Sequence, residues 1–357
     1  MSLGPGALVT AYGAIACDLD GVVYRGSLAV PYAVGCLEQV RRVTPVVFAT
    51  NNAARTPTEV ARQLRSLGLT AEPADVVTSA QAGAAWLLQR LSAEEAVLAV
   101  GGDGVDSALA EVGLRPVRSL AARPAAVLQG WARTVTVADL ADASHAVAAG
   151  AVWVATNTDL TLPTEAGLVP GNGTLVAAVR NATGREPIVV GKPEQGLYDA
   201  VAKRVGVPIS RLLAVGDRLD TDILGAMRLG VDSAWVLTGV DGFAQLAATA
   251  VVPTWVLPDL RGLLSPPQAC SVGSGSARHW TAGGVSAHLR GPGMVQIEGA
   301  DEYAVHAASL AALGRTVVLA LRAEGDPHAV QVGATFDEVL GALRENAPGQ
   351  YGGSDPN

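Results

Sequence analysis

Lysine is nearly missing from this chain: of 25 basic residues only Lys192 and Lys203 are lysines. Arginine is the default cation, so a lysine at a special position needs its own reason. An excess of basic charge is missing as well, since 33 Asp and Glu against 25 Lys and Arg leave a formal net charge of −8. A nonspecific nucleic-acid binder displaces counterions with a basic surface, and no nucleic-acid partner is expected. Cysteine is scarce, and Cys17, Cys36 and Cys270 are odd in number with no CxxC pair. That excludes a disulfide scaffold or zinc ribbon and suits a reducing, cytoplasmic setting. Long apolar runs are absent too, the longest being near ten residues, as in Ala146–Ala155, against the ~20 of a membrane span. No Lys or Arg precedes Arg25, and Asp18 and Asp20 interrupt the first apolar stretch, so a secretory signal is not expected. What is present is 357 residues, which at ~100–200 per domain means two or three domains.

Short β-branched apolar runs alternate with amphipathic stretches, the pattern of a parallel α/β sheet. Strands ending in polar residues are expected at Ala14–Asp18, Val46–Thr50, Ile188–Gly191 and Leu212–Gly216. Thr56-Pro57-Thr58-Glu59 is a capping box with Pro at the first helical position, and Gly68 is the stop. Pro193 is expected to open a second helix carrying Leu197, Val201 and Val205 on one stripe. The segment from Val76 to Pro187 has its own βα alternation, with strands at Ala96–Val100, Ala125–Leu128 and Val152–Ala155, and is too long for one crossover. The expected division is a core of residues 1–78 and 188–264, an inserted domain over 79–187, a Pro/Gly/Ser linker over 265–277 and a small α+β domain over 278–346. In that last domain the pattern predicts strands at Val285–Leu289 and Met294–Glu298, a helix over Asp301–Leu313, a strand over Thr316–Arg322 and a helix over Thr335–Glu345. Residues 347–357 are expected to be disordered.

In parallel sheets, ligands bind beyond the carboxyl ends of strands, and the polar clusters lie there. Asp18-Leu19-Asp20-Gly21 places two carboxylates at i and i+2 with glycine next. Their repulsion is relieved by a hard divalent cation; the plainer account is two solvated aspartates in a βα turn. Thr50-Asn51-Asn52 offers a hydroxyl, amides and backbone N–H groups suited to phosphate oxygens, although such a turn is commonly only a cap. Gly191-Lys192-Pro193 sets one of the two lysines after a strand, and a compact ammonium suits a crowded phosphoryl site better than a planar guanidinium. Gly216-Asp217-Arg218-Leu219-Asp220-Thr221-Asp222 adds three acids. Of these, Asp217 stands where a metal ligand is wanted, and Asp220 is expected only to cap a helix.

These four motifs, in this order, resemble the haloacid dehalogenase superfamily: DxDG, a Thr, a Lys, then GDxxxxD. The short gap from Asp20 to Thr50 and the long one from Thr50 to Lys192 match members with a C2-type cap. Pro170-Gly171-Asn172-Gly173 and Gly191-Lys192-Pro193 look like subfamily IIA, the branch of 4-nitrophenyl phosphatases, phosphoglycolate phosphatases and glycerol-3-phosphate phosphatases. With its C-terminal segment the chain is most like the mycobacterial members of the last group. The resemblance covers residues 10–262 and implies a Rossmann-like parallel-sheet core with an α/β cap. It also implies Mg²⁺-dependent hydrolysis of a small phosphomonoester, with glycerol 3-phosphate leading and phosphoglycolate, pyridoxal phosphate or a sugar phosphate as alternatives. Asp18 would be the nucleophile and Asp20 the general acid and base. Mg²⁺ would be held by Asp18, the Asp20 carbonyl and Asp217, and phosphate by Thr50, Asn51 and Lys192, with Asn52 and Asp222 orienting the site. A receiver-type phospho-acceptor is the non-enzymatic alternative; the cap and Asp20 weigh against it.

Specificity is expected in the cap. The loop there reads Gly130-Trp131-Ala132-Arg133, where the branch usually carries Asp as the third residue. Trp131 and Arg133 are candidates to close over substrate, with packing inside the cap the simpler role for Trp131. Asn157-Thr158-Asp159 is expected to be turn chemistry. The tail's strand–helix pattern is compatible with a degenerate acetyltransferase-like fold, but no Arg/Gln-x-x-Gly-x-Gly/Ala loop is present to hold a coenzyme A pyrophosphate. Homo-oligomerisation is left open.

Overall fold

A computed structural model of the chain describes residues 4–164, 167–272 and 278–345. The residues expected to be disordered, 347–357, lie outside them. Two compact units emerge: one from residues 1–46 and 210–357, the other from 47–209.

In the first unit, four parallel strands run in the order Trp255–Leu257, Asp232–Val236, Leu212–Gly216, Ala14–Cys17. Ala14–Cys17 and Leu212–Gly216 are buried along their whole length, as strands covered on both faces must be. Their continuous apolar composition was legible for that reason. In the second unit, Val46–Thr50 pairs in parallel with Val76–Thr78. A five-stranded parallel sheet there runs Ile188–Val189, Val152–Ala155, Ala126–Gln129, Ala96–Val100, Arg115–Val117. The strand at Ile188 therefore belongs to this sheet, paired with Val152–Ala155, and not beside the strands that carry the aspartates. Three helix starts in this unit use side-chain caps. Thr56 with Glu59, Thr78 with Gln81 and Thr136 with Asp139 are all reciprocal boxes, each satisfying N–H groups that the first turn leaves over. Pro193 does not open a helix: residues 192–195 form turns, and the helix is Gly196–Val205.

The C-terminal segment differs most from expectation. Ser271–Val272, His279–Ala282, Val285–Gly291 and Met294–Glu298 form a four-stranded antiparallel sheet in that order. Tyr303–Ala323 is one uninterrupted helix, followed by Ala329–Glu345. The strand expected at Thr316–Arg322 does not exist. Its β-branched run Thr316-Val317-Val318 suggests a strand, but Leu310, Leu313, Val317 and Leu321 form one buried helical stripe, and tertiary packing overrides local propensity. Gly314, just past the helix end expected at Leu313, sits inside the helix, where a Cβ would come within 2.7 Å of the Phe243 ring. Residues 305–323 are also long and apolar enough for a membrane span, with half of that stretch buried.

The tail does not keep a core of its own. Trp235, Phe243 and Leu246 share one apolar cluster with Trp280, Leu310, Phe336 and Leu340. Phe243 lies edge-on to Trp235, with centroids 5.5 Å apart, and 5.9 Å from Phe336. Polar links reinforce the seam: the Asp337 carboxylate accepts from the N–H groups of Phe243 at 2.8 Å and Ala244 at 3.1 Å. Arg344 donates to the carbonyls of Leu237 and Pro258 at 2.7 and 3.0 Å.

Candidate active site

In the first unit the carboxylate oxygens of Asp18, Asp217 and Asp222 lie within 4.8 Å of one another. Asp18 follows the strand Ala14–Cys17, and Asp217 follows Leu212–Gly216, its direct parallel neighbour. The pairing of those two strands is what brings residues 199 apart in sequence together. Asp217 and Asp222 are 3% and 2% exposed. Three carboxylates this close, two of them buried, repel one another unless a cation or protons intervene. Hard oxygen donors in such a cluster suit Mg²⁺, so these residues fit the ion.

Asp222 reaches the cluster through a wide helical turn over Leu219–Ile223 of the π type, a form frequent at functional sites. Its carboxylate accepts from the Arg218 N–H at 3.2 Å. Asp220 points away and pairs with Arg218 at 2.8 Å on the surface; it caps no helix. Asp20 is exposed and its carboxylate is not one of the trio. Water can therefore reach it, as a group that shuttles protons needs.

A loop that sequence reasoning missed supports Asp217. The Trp235 indole N–H donates to the Asp217 carbonyl at 3.0 Å, and the Val240 N–H to the Asp217 carboxylate at 3.3 Å. The Thr238 hydroxyl donates to the Gly21 carbonyl at 2.7 Å. Gly21, at φ +78°, and Gly239 both face the Asp217 carboxylate so closely that a Cβ at either would collide with it. Nearby, burial pushes the Asp241 carboxyl above its usual range, partly countered by the Leu219 N–H bonded to it at 2.7 Å. The signal in the sequence was Thr238-Gly239 just beyond an apolar strand.

The second unit holds the other motif residues. The Asn51 side chain brackets Lys192: its Oδ1 accepts from the Lys192 N–H at 2.8 Å, and its Nδ2 donates to the Lys192 carbonyl at 3.0 Å. Lys192 is 4% exposed, and its Nζ donates to the Ala49 carbonyl at 3.0 Å. The Thr50 hydroxyl accepts from the Asn52 N–H at 3.1 Å, and Asn52 Oδ1 in turn accepts from the Ala54 N–H at 3.0 Å, so Asn52 shapes the turn. The Asn51 carbonyl accepts from Ser79 Oγ at 2.7 Å and from Asn157 Nδ2 at 2.8 Å. Behind it, Asn172 Nδ2 donates to the Asn157 carbonyl at 2.8 Å. Asn157 thus does more than form a turn: it fixes the backbone of Asn51.

The Trp131 indole donates to the Pro170 carbonyl at 2.9 Å, which is packing within its own unit. Arg133 is exposed two residues further on.

The chain matches the family model for haloacid dehalogenase-like hydrolases over residues 15–115 and a HAD-hydrolase-like model over residues 189–263. It is 49% identical over 249 residues to the D-glycerol 3-phosphate phosphatase of Mycobacterium tuberculosis, covering 69% of each chain. It is 34% identical over 249 residues to an acid sugar phosphatase of Staphylococcus haemolyticus, covering 70% of this chain and 94% of that one. The crystal structure of a glycerol phosphate phosphatase from Mycobacterium tuberculosis in complex with magnesium superposes with a TM-score of 0.68 at 45% identity, over 75% of this chain and 84% of that one.

Proposed function

The chain belongs to the haloacid dehalogenase-like hydrolase family, and on that premise we propose that it is a Mg²⁺-dependent phosphatase of a small polyol phosphate, first of all glycerol 3-phosphate. The observation that carries the reading is the carboxylate trio of Asp18, Asp217 and Asp222. The 49% identity to a D-glycerol 3-phosphate phosphatase favours that substrate. The 34% identity to an acid sugar phosphatase makes a sugar phosphate the second reading. Cys17, Cys36 and Cys270, none of which forms a disulfide, agree with a cytoplasmic setting.

A carboxylate oxygen of Asp18 attacks phosphorus in line, a P–O bond to Asp18 forms, and the bond to the glycerol oxygen breaks. Asp20 gives its proton to the departing alkoxide. Asp20, now a carboxylate, takes a proton from water as that water attacks phosphorus, and the bond to Asp18 breaks to release phosphate. Thr50, the Asn51 N–H and the Lys192 ammonium are assigned to the equatorial oxygens, whose charge must be offset during transfer. We assign Asp18, Asp217 and the Asp20 carbonyl to Mg²⁺, with Asp222 orienting them; the bound ion supplies charge neutralisation and alignment. Two carboxylates with separate duties suit hydrolysis, whereas a receiver-type switch must retain its phosphoryl group and has no use for Asp20.

The test is a screen of purified protein against glycerol 3-phosphate, phosphoglycolate, pyridoxal phosphate and sugar phosphates, with Mg²⁺ and with EDTA. Steady phosphate release that needs Mg²⁺ and is fastest per KM on glycerol 3-phosphate is expected. A single stoichiometric phosphorylation without release would refute the enzyme reading.

A further inference from the structure

Away from the carboxylate trio, the first unit contains a cleft of about 550 Å³ between the segment Trp255–Gln268 and the helix Tyr303–Ala323. That volume falls within the ~300–1,000 Å³ typical of small-molecule sites. None of Asp18, Asp20, Asp217 or Asp222 lines it. Its walls are mixed: Leu257, Pro266 and Ala312 are apolar, whereas Gln268, Arg315 and Thr316 are polar. The Pro-rich stretch read from sequence as a linker is one of these walls.

The two arginines in the cleft differ in their partners. Arg261 is neutralised by Asp259 through parallel bonds, Nε to Oδ1 at 2.9 Å and Nη2 to Oδ2 at 2.7 Å. Arg315 uses only Nε, which donates to the Pro253 carbonyl at 2.8 Å. Among the described residues its two Nη groups have no hydrogen-bond partner and no carboxylate. Burial alone pushes this guanidinium down from its usual value, with no acid acting on it. A guanidinium nonetheless stays charged in proteins. Half-buried and without a counter-ion, it leaves a planar two-nitrogen fork facing a cleft, the geometry that takes a carboxylate or phosphate through two bonds.

We propose that this cleft binds a small organic anion, a carboxylate or phosphate on an apolar body. The charged group pairs with the Nη atoms of Arg315, and the body lies against Leu257, Pro266 and Ala312. Because the walls come from both the segment Trp255–Gln268 and the tail helix, a ligand there ties the tail to the parallel sheet of the same unit. It stabilises the folded state by mass action.

Calorimetric titration of the full chain tests this with benzoate, phenylphosphonate and, as a neutral isostere, benzamide. Saturable one-site binding of at least one anion is expected, and which one binds shows whether the site prefers carboxylate or phosphate. Benzamide should not bind, and binding should persist in Asp18→Asn. Arg315→Gln should weaken it at least tenfold, the scale of one charge-assisted pair. Affinity unchanged in Arg315→Gln, loss of the signal in Asp18→Asn, or no saturable binding of either anion would overturn the proposal; the last would mean that the Nη groups are simply hydrated. If Arg315→Gln does not fold, Ala312→Phe, which fills the cleft and keeps the guanidinium, carries the test, and undiminished binding by that variant would also overturn it.

Discussion

The side chain of Asn51 closes a two-bond ring on the backbone of Lys192, 141 residues away, accepting from its N–H and donating to its carbonyl. Two of the three residues assigned to the phosphate oxygens are therefore one rigid element. Asn51→Ala removes both bonds, each worth about 1 kcal/mol. It should lower kcat/KM by roughly ten- to thirtyfold on that scale. A variant with wild-type kinetics would show that Lys192 is placed without Asn51.

Asn157→Ala addresses the same element from behind, since it deletes the bond to the Asn51 carbonyl together with a local turn bond, in which Asn157 Oδ1 accepts from the Asp159 N–H at 3.2 Å. A smaller loss, about three- to tenfold in kcat/KM, is expected from one neutral hydrogen bond, with the unfolding midpoint little changed. Asn157 holds the Asn51 backbone carbonyl, which Asn51→Ala retains, so a double variant Asn51→Ala/Asn157→Ala should lose more than Asn51→Ala alone but less than the product of the two single losses. Fully additive losses would mean that Asn157 meets the substrate independently.

Asp18→Asn should abolish turnover, because an amide neither attacks phosphorus nor binds Mg²⁺ well. It also removes one of three clustered negative charges, so without divalent ions the variant should unfold at a higher temperature than the unsubstituted protein. Saturating Mg²⁺ should reverse the order, stabilising the unsubstituted protein by ~2–3 kcal/mol at about a hundredfold excess over Kd. Thermal scans with and without Mg²⁺ read both effects, and identical midpoints under all conditions would count against a metal at this cluster.

Arg133→Ala tests specificity. If this exposed cation meets the hydroxyls of a polyol, kcat/KM for glycerol 3-phosphate should fall roughly ten- to a hundredfold. 4-Nitrophenyl phosphate, with a better leaving group, should lose far less. Equal losses on both substrates would assign Arg133 to the cap fold.

The tail is expected to be structural. Phe336→Ala should cost about 3–5 kcal/mol, as for other buried aromatics. Asp337 adds a pH dependence: burial raises its carboxyl above the usual range, more than the Phe243 and Ala244 N–H groups lower it. The folded protein then keeps a proton that the unfolded chain has released. Its contribution is full below the ordinary carboxylate range and lost as pH rises through the raised value. Relative to the unsubstituted protein, Asp337→Asn should gain stability from about pH 4 upward; a difference that ignores pH would sink the assignment.

Asp18, Thr50, Lys192 and Asp217 could be singled out from sequence because each stands at the end of an apolar run readable as a strand. Their neighbours in the chain carried the rest of the signal. Asn157 had no such neighbour: its partner is 106 residues away, and nothing local separates a supporting asparagine from one that merely turns the chain. The loop Thr238–Asp241 was missed for the same reason, its value lying in contacts with Asp217 and Gly21. Thr316–Arg322 was misread because β-branched residues describe a local preference, while Phe243 and the buried stripe around Leu313 decided for helix. The strand at Ile188 was correct as a strand but was assigned to the wrong sheet, since pairing partners are not written in a run of valines.

The chain visits its two compact units unequally. Residues 47–209 form one without interruption, whereas the other needs residues 1–46 together with everything from 210 onward. During synthesis the uninterrupted unit can complete first, while Ala14–Cys17, the strand that leads to Asp18, waits for Leu212–Gly216 to emerge. Phe243 then waits longer still, for Phe336 and Asp337. Pulse-labelled hydrogen exchange during refolding should therefore protect Val97 and Val127 before Ile15. The strand that leads to Asp18 is expected to mature late, once the middle of the polypeptide has supplied its partner Leu212–Gly216.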